Sequence, residues 1–178
     1  IDGSDVKRYY LDWSKTYILY GKNLSRPRIP ELFNEERIYV RQIPTKPPYS
    51  IVSTYIDIDA VCDNNHMILK SNENSNYSLL KLSGILNSRL ISFLFISTFA
   101  KDQRKLFPQF KINELKTFPI PKNDSEILDK IELNVVQILT LKKENPQADT
   151  SVLEREIDLM VYELYGLSEE EIGIVEGS

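Results

Sequence analysis

The sequence is poor in the residues that most enzymes use for chemistry. Among its 178 residues stand one cysteine, Cys62, and one histidine, His66. A single cysteine rules out a disulfide within the chain and fits a reducing, cytoplasmic setting. The same scarcity excludes a zinc site built from clustered Cys and His. His66 has no partner nucleophile at a telling spacing and no GxSxG is present, so a structural or hydrogen-bonding histidine is expected. There are only six glycines, and no two form a GxG turn, so no loop for a nucleotide-type cofactor is visible.

Long hydrophobic runs are also lacking. The most apolar stretch, Leu79 to Ala100, is interrupted by Lys81, Asn87 and Arg89, each costly in lipid. It reads as one helix buried against a sheet, not a membrane span. No basic-then-apolar segment opens the sequence as given. The first residue is isoleucine, so the chain reads as a piece of a longer polypeptide.

What is present is an ordinary globular composition, 42% apolar and 27% charged, with an uneven charge distribution. Residues 1–120 carry 17 Lys and Arg against 12 Asp and Glu, and residues 121–178 carry 5 against 14. The balances of +5 and −9 give the net −4 and suggest two surfaces with different partners.

TYILYG (16–21), ERIYVRQI (36–43), SIVSTYID (50–57) and HMILK (66–70) are short β-branched or aromatic runs between Pro-, Asp- or Asn-bearing turns, and are expected as strands. Alternation in the second run puts Ile38 and Val40 on one face and Arg37, Tyr39, Arg41 and Ile43 on the other. Towards the end, Leu128, Ile131, Val135 and Ile138 align on one helix, and Leu153, Ile157, Met160 and Leu164 on a second. Pro146 between them predicts a helical hairpin. Ser151 with Glu154, and Ser168 with Glu171, fit capping boxes, the latter starting a third short helix near Glu169. The fold expected is α/β (α+β): a small mixed sheet with a buried helix over 1–121, then a helical region over 122–178. No internal repeat or low-complexity tract is present.

Two motifs tempt and are set aside. TKPPY (45–49) is close to the motif of amino-methyltransferases, but Lys46 has only donors where that chemistry needs an acceptor. Glu114-Leu115-Lys116, with Asp102, can be forced into a Mg²⁺-dependent nuclease motif. Pro119 and Pro121 argue against the central strand such a site requires. What remains is a scatter of cations and aromatic residues on loops and one strand, able to neutralise phosphates and read base edges.

The order of segments is more specific than any single motif. YILYGKNL (17–24), LFNEERIYVRQI (32–43), LLKLSGILNSRLISFLF (79–95), KLFPQFKINELKTFPIP (105–121) and DTSVLEREIDLMVYELYGLSEEE (149–171) occur in one chain. Together they resemble the TaqI-like C-terminal specificity domain of fused type II restriction–modification enzymes and adenine-specific DNA methyltransferases. The likeness runs from about Tyr17 to Glu176, and GILNSRLI and LFPQFKINELKTFPIP carry most of it. The target-recognition domains of type I specificity subunits are looser relatives.

The resemblance implies a domain of a cytoplasmic bacterial or archaeal enzyme that binds double-stranded DNA and performs no chemistry. It would follow a methyltransferase domain of the same polypeptide, which flips an adenine and uses S-adenosylmethionine, with Mg²⁺ added if a nuclease is fused. On the matching segments, Lys22, Arg37, Arg41 and Gln42 fall in the DNA-facing part, and Lys105, Gln109 and Lys111 on the proline-flanked segment. Arg26, Arg28, Lys101 and Arg104 are further loop cations expected at DNA. A protein-interaction module built on the helical hairpin is the rival reading, with the nuclease behind it.

Overall fold

The computed structural model of the chain describes residues 1–72, 77–100, 109–121 and 125–177. A minimal hairpin of β1 (Val6–Lys7) and β2 (Tyr10–Leu11) opens it. Its turn holds Tyr9 in the left-handed region, at φ 58°. Three of the expected runs become β3 (Arg37–Arg41), β4 (Ser53–Ile56) and β5 (His66–Leu69). They pair antiparallel in the order β4-β3-β5, with Tyr39 opposite Thr54 and Ile68, and Arg41 opposite His66.

The fourth expected strand does not form. In TYILYG, Tyr17 and Leu19 are exposed and no ladder partner exists among the described residues. Tyr20 instead turns inward against Phe33, ring centroids 5.7 Å apart, and its hydroxyl donates to the Arg28 carbonyl. The segment is a loop that covers the sheet.

That cover decides how β3 is read. Ile38 and Val40 face the main core with Met67 and Ile51, while Tyr39 faces a second cluster with Phe33, Val52, Ile56 and Cys62. The alternation is as expected, but both faces of the central strand are covered. On the other face Arg37 and Tyr39 pack under loops and are fully buried, while Arg41 at the strand end is half-buried.

The apolar run 79–100 forms two helices, α1 (Leu79–Leu86) and α2 (Arg89–Phe95), which ends in a π-helical turn over Ile96–Ala100. The expected single helix breaks by 62° at Asn87–Ser88. Asn87 explains the break: its Oδ1 accepts from Ser53 N at 2.9 Å and its Nδ2 donates to Ser53 O at 3.1 Å, pairing with β4 as a strand would. Ser88 then caps α2, accepting from Ile91 N. No single helix among the described residues is long and apolar enough to cross a membrane.

Short α3 (Ile112–Leu115) follows, then α4 (Glu126–Glu144), α5 (Ser151–Leu164) and α6 (Glu169–Glu176). Leu128, Ile131, Val135 and Ile138 are all fully buried, in the same core as α1 and α2. On α5 the buried stripe is shifted from the expected one and centres on Ile157, Asp158, Val161 and Tyr162. The capping box at Ser168 and Glu171 is present. The one expected at Ser151 is not: Thr150 is the residue before the helix, and its hydroxyl donates to Glu154 at 2.6 Å. The whole is an α/β unit of small antiparallel sheets followed by several helices.

Candidate nucleic-acid interface

Arg37 is the first of the expected DNA-facing residues to be placed, and it is fully buried. Its Nε donates to Tyr39 Oη at 2.9 Å, Nη1 to Glu35 O at 2.5 Å, and Nη2 to Ile58 O at 2.6 Å and Ala60 O at 3.0 Å. All three nitrogens of the fork are bonded within the protein, to Tyr39, Glu35 and the 58–60 loop, which turns Arg37 away from any phosphate. It is withdrawn from the DNA-facing set because β3 is covered by that loop. Arg28 is half-buried and likewise turned inward, donating to His66 O at 3.0 Å and towards Cys62 Sγ at 3.6 Å.

Arg41, two residues along the strand, is different. It is half-buried, its Nε is enclosed, and it has no hydrogen bond or ion pair from its side chain among the described residues. Gln42 follows at the strand end, with its N–H on Asn65 O at 2.8 Å and its carbonyl accepting from Phe110 N at 2.6 Å. This last bond brings the proline-flanked segment to the sheet: Phe110 is buried between Phe95 and Phe118, at 5.0 and 5.7 Å. Its neighbours Gln109 and Lys111 are exposed beside the end of β3. One end of the sheet thus gathers Arg41, Gln42, Gln109 and Lys111, residues separated by almost 70 positions in the chain.

Lys22 and Arg26 are exposed on the covering loop. Arg26 and Arg28 line a cavity of about 450 Å³ between that loop and residues 58–64, walled by Trp13, Tyr17 and Phe33. Lys101, Arg104 and Lys105, with Asp102, Leu106 and Phe107, lie outside the described residues. On the proline-flanked segment Leu115 and Phe118 are buried, whereas Ile112 is 42% exposed.

The set-aside motifs resolve into structure. Glu114 accepts from Lys111 N at 2.8 Å, so its carboxylate caps α3. No group of three or more His, Cys, Asp or Glu able to hold a metal occurs among the described residues. Tyr49 of TKPPY donates to Asp158 on α5 at 2.7 Å.

His66 and Asp63 were not among the expected interface residues, yet they stand beside Arg41. His66 is fully buried, with Nδ1 2.7 Å from Asp63 Oδ1. Burial pushes its pKa down against the opposing pull of Asp63, so the ring is neutral at pH 7. Burial likewise raises the Cys62 thiol pKa, which leaves Cys62 an inert core residue. No spacing rule would have singled out this histidine; the strand register does.

Comparison with known proteins gives the arrangement a context. The family described as the TaqI-like C-terminal specificity domain matches residues 1–120. A putative type II restriction enzyme and methyltransferase of Methanocaldococcus jannaschii is 29% identical over 154 residues, which is 85% of this chain and 13% of that protein. The type IIL restriction–modification enzyme MmeI, solved in complex with DNA, superposes with a TM-score of 0.59 over 78% of this chain and 20% of that one. At 14% identity that likeness is one of fold. The chain spans only a small part of either protein.

Proposed function

Because the chain belongs to the TaqI-like C-terminal specificity domain family, we propose that it is the DNA target-recognition domain of a type II restriction–modification enzyme. The match over residues 1–120 carries the reading, since it takes in the sheet, the covering loops and the buried helices together. MmeI, which shares the fold, was solved with DNA bound. The geometry supports the reading in its own terms. Arg41 and Gln42 end the central strand next to the exposed Gln109 and Lys111, and two such side chains can address base edges while a lysine holds a phosphate. Lys22 and Arg26 extend the basic surface along the covering loop.

The chemistry of such an enzyme would lie elsewhere in its polypeptide. Among the described residues no glycine-rich strand-to-helix turn offers a cradle for S-adenosylmethionine: α1 is capped by Ser78, whose hydroxyl accepts from Leu80 and Lys81 N–H. The described residues therefore offer no donor set that fits that cofactor or a catalytic Mg²⁺. The acidic outer faces of α4 to α6 repel phosphates and suit contact with the catalytic part of the enzyme. Leu133 and Val136, exposed three residues apart on α4, give that contact an apolar centre.

Equilibrium binding of the 178-residue chain to duplexes selected from a random pool tests the reading. Affinity should fall steeply with salt, log K changing by about −0.9 per log unit of salt for each phosphate neutralised. Arg41→Ala should cost about 1–3 kcal/mol of preference for the selected duplex over a scrambled one. Lys111→Ala should weaken both duplexes alike and lower the salt slope by about 1. Salt-independent binding, or two variants indistinguishable from the parent, would sink the assignment.

A further inference from the structure

Two enclosed nitrogens beside the proposed interface each lack what the other has. Arg41 and His66 are directly opposed on β3 and β5, so their side chains share one face of the sheet at the closest cross-strand spacing. Asp63 is fixed before it meets the histidine: its Oδ1 accepts from Asn65 N at 3.0 Å and its Oδ2 from Asn65 Nδ2 at 2.7 Å. A carboxylate so placed takes the Nδ1 proton of His66 at 2.7 Å, which assigns the neutral tautomer and leaves Nε2 a bare lone pair. That lone pair is buried without a donor, and the Nε–H of Arg41 is buried without an acceptor. The terminal nitrogens of Arg41 are not enclosed in this way, and the residue is half-buried at the end of the strand.

We propose that the Asp63–His66 pair is a positioning device for Arg41. Nε2 of His66 receives the Arg41 Nε–H when DNA is engaged and fixes the guanidinium plane, so that both terminal nitrogens meet one acceptor-bearing base edge. This rests on the reading of the chain as a DNA target-recognition domain and adds to it residues that touch no DNA. A long arginine otherwise spends rotamer freedom on binding, and a fork held at Nε spends less. The groups facing His66 are Asp63 from the preceding loop, Arg41 from β3, the Tyr39 ring at 6.0 Å and the amino group of Ile1, while Arg28 binds its carbonyl. Only a neutral ring serves: a protonated His66 loses the acceptor and sets a second cation against Arg41.

The test measures discrimination, the affinity ratio between a selected duplex and a scrambled one, for the 178-residue chain and its variants, alongside thermal melts. His66→Phe keeps the ring volume and removes the acceptor, and should lower discrimination about tenfold, as Arg41→Ala does, with affinity for the scrambled duplex unchanged. Adding His66→Phe to Arg41→Ala should change discrimination no further. His66→Gln, whose carbonyl can accept from Arg41, should restore most of it. Discrimination by the parent should hold from pH 8 to neutrality and fall only on acidification below the ordinary histidine range, while His66→Gln stays flat. A His66→Phe chain with the parent's discrimination, or a parent and His66→Gln with the same pH profile, overturns the positioning role and leaves the DNA reading intact. A parent chain that binds no duplex overturns both.

Discussion

Asp158→Ala should lower stability by about 3–5 kcal/mol, the range for removing one member of a buried charged network. Asp158 lies on α5 with 1% of its surface exposed. One carboxylate there holds three parts of the chain together. Oδ2 accepts from Tyr49 Oη at 2.7 Å, fixing the 45–49 turn, and Oδ1 accepts from Arg89 N at 2.8 Å, at the first turn of α2. The Arg8 guanidinium stacks 3.6 Å from the centre of the Tyr49 ring, with Nη1 2.5 Å from Glu154 and Nη2 donating to Asn87 O at 3.1 Å. Alanine would leave the Tyr49 hydroxyl and the Arg89 N–H without acceptors and the Arg89 guanidinium without its Asp158 counter-charge. Asp158→Asn keeps one acceptor oxygen and should cost clearly less.

The pH dependence separates charge from hydrogen bonding at this position. Burial raises the Asp158 pKa, outweighing the bonds from Arg89 and Tyr49 and the pull of Arg8 and Arg89. A carboxyl whose pKa is higher folded than unfolded binds its proton more tightly when folded, so stability from this group grows as pH falls and is lost as pH rises through the folded value. The parent should therefore gain stability relative to Asp158→Asn between pH 7 and the ordinary carboxylate range. Urea unfolding of both chains across that interval measures the difference, and a parent that loses ground on acidification would contradict the assignment.

Why this network was not legible in the sequence is instructive. Arg8, Tyr49, Arg89 and Asp158 follow no period and share no motif, and only the tertiary fold brings Tyr49 within reach of a residue 109 positions away. The helical stripe of α4 and the Ser168 capping box, by contrast, are local and periodic, and they stand where the pattern puts them. The faces of β3 were legible as well, because alternation is local. What covers each face is not, so Arg37 read as an exposed cation although the 58–60 loop encloses it. TYILYG has the composition of a strand and no neighbour to pair with, and β-propensity without a partner does not make a strand. At the proposed interface, Arg41 and Gln42 are legible as types on a strand end; the Asp63–His66 pair behind them is a matter of register alone.

Gly84→Val should be the other damaging change, costing about 3 kcal/mol or more through overpacking of α1 against α4. A Cβ at Gly84 would stand 2.4 Å from Ile131 Cγ2 and 3.1 Å from Val135 Cγ2, both on buried side chains of a helix held by its own core contacts. In an open helix, replacing glycine by alanine gains about 1 kcal/mol of backbone entropy. Here that gain is set against a clash worth about 1–3 kcal/mol, so even Gly84→Ala should be neutral at best. Ile131→Ala alone opens a cavity and costs about 2–5 kcal/mol. Combined with Gly84→Ala it should cost less than the sum by about 1 kcal/mol, because the new methyl fills the space that the isoleucine leaves. Thermal and urea melts of the four chains close this cycle, and strict additivity would show that the helices separate without hindrance. The same close approach belongs to a run of structural roles in GILNSRLI. Gly84 admits α4, Asn87 pairs with Ser53, Ser88 caps α2, and Arg89 presents its N–H to Asp158. Four successive requirements of packing and capping fall on six residues, none of which needs to touch DNA. This segment thus builds the platform, while in the proposed function the reading would fall to Arg41, Gln42 and the residues held beside them.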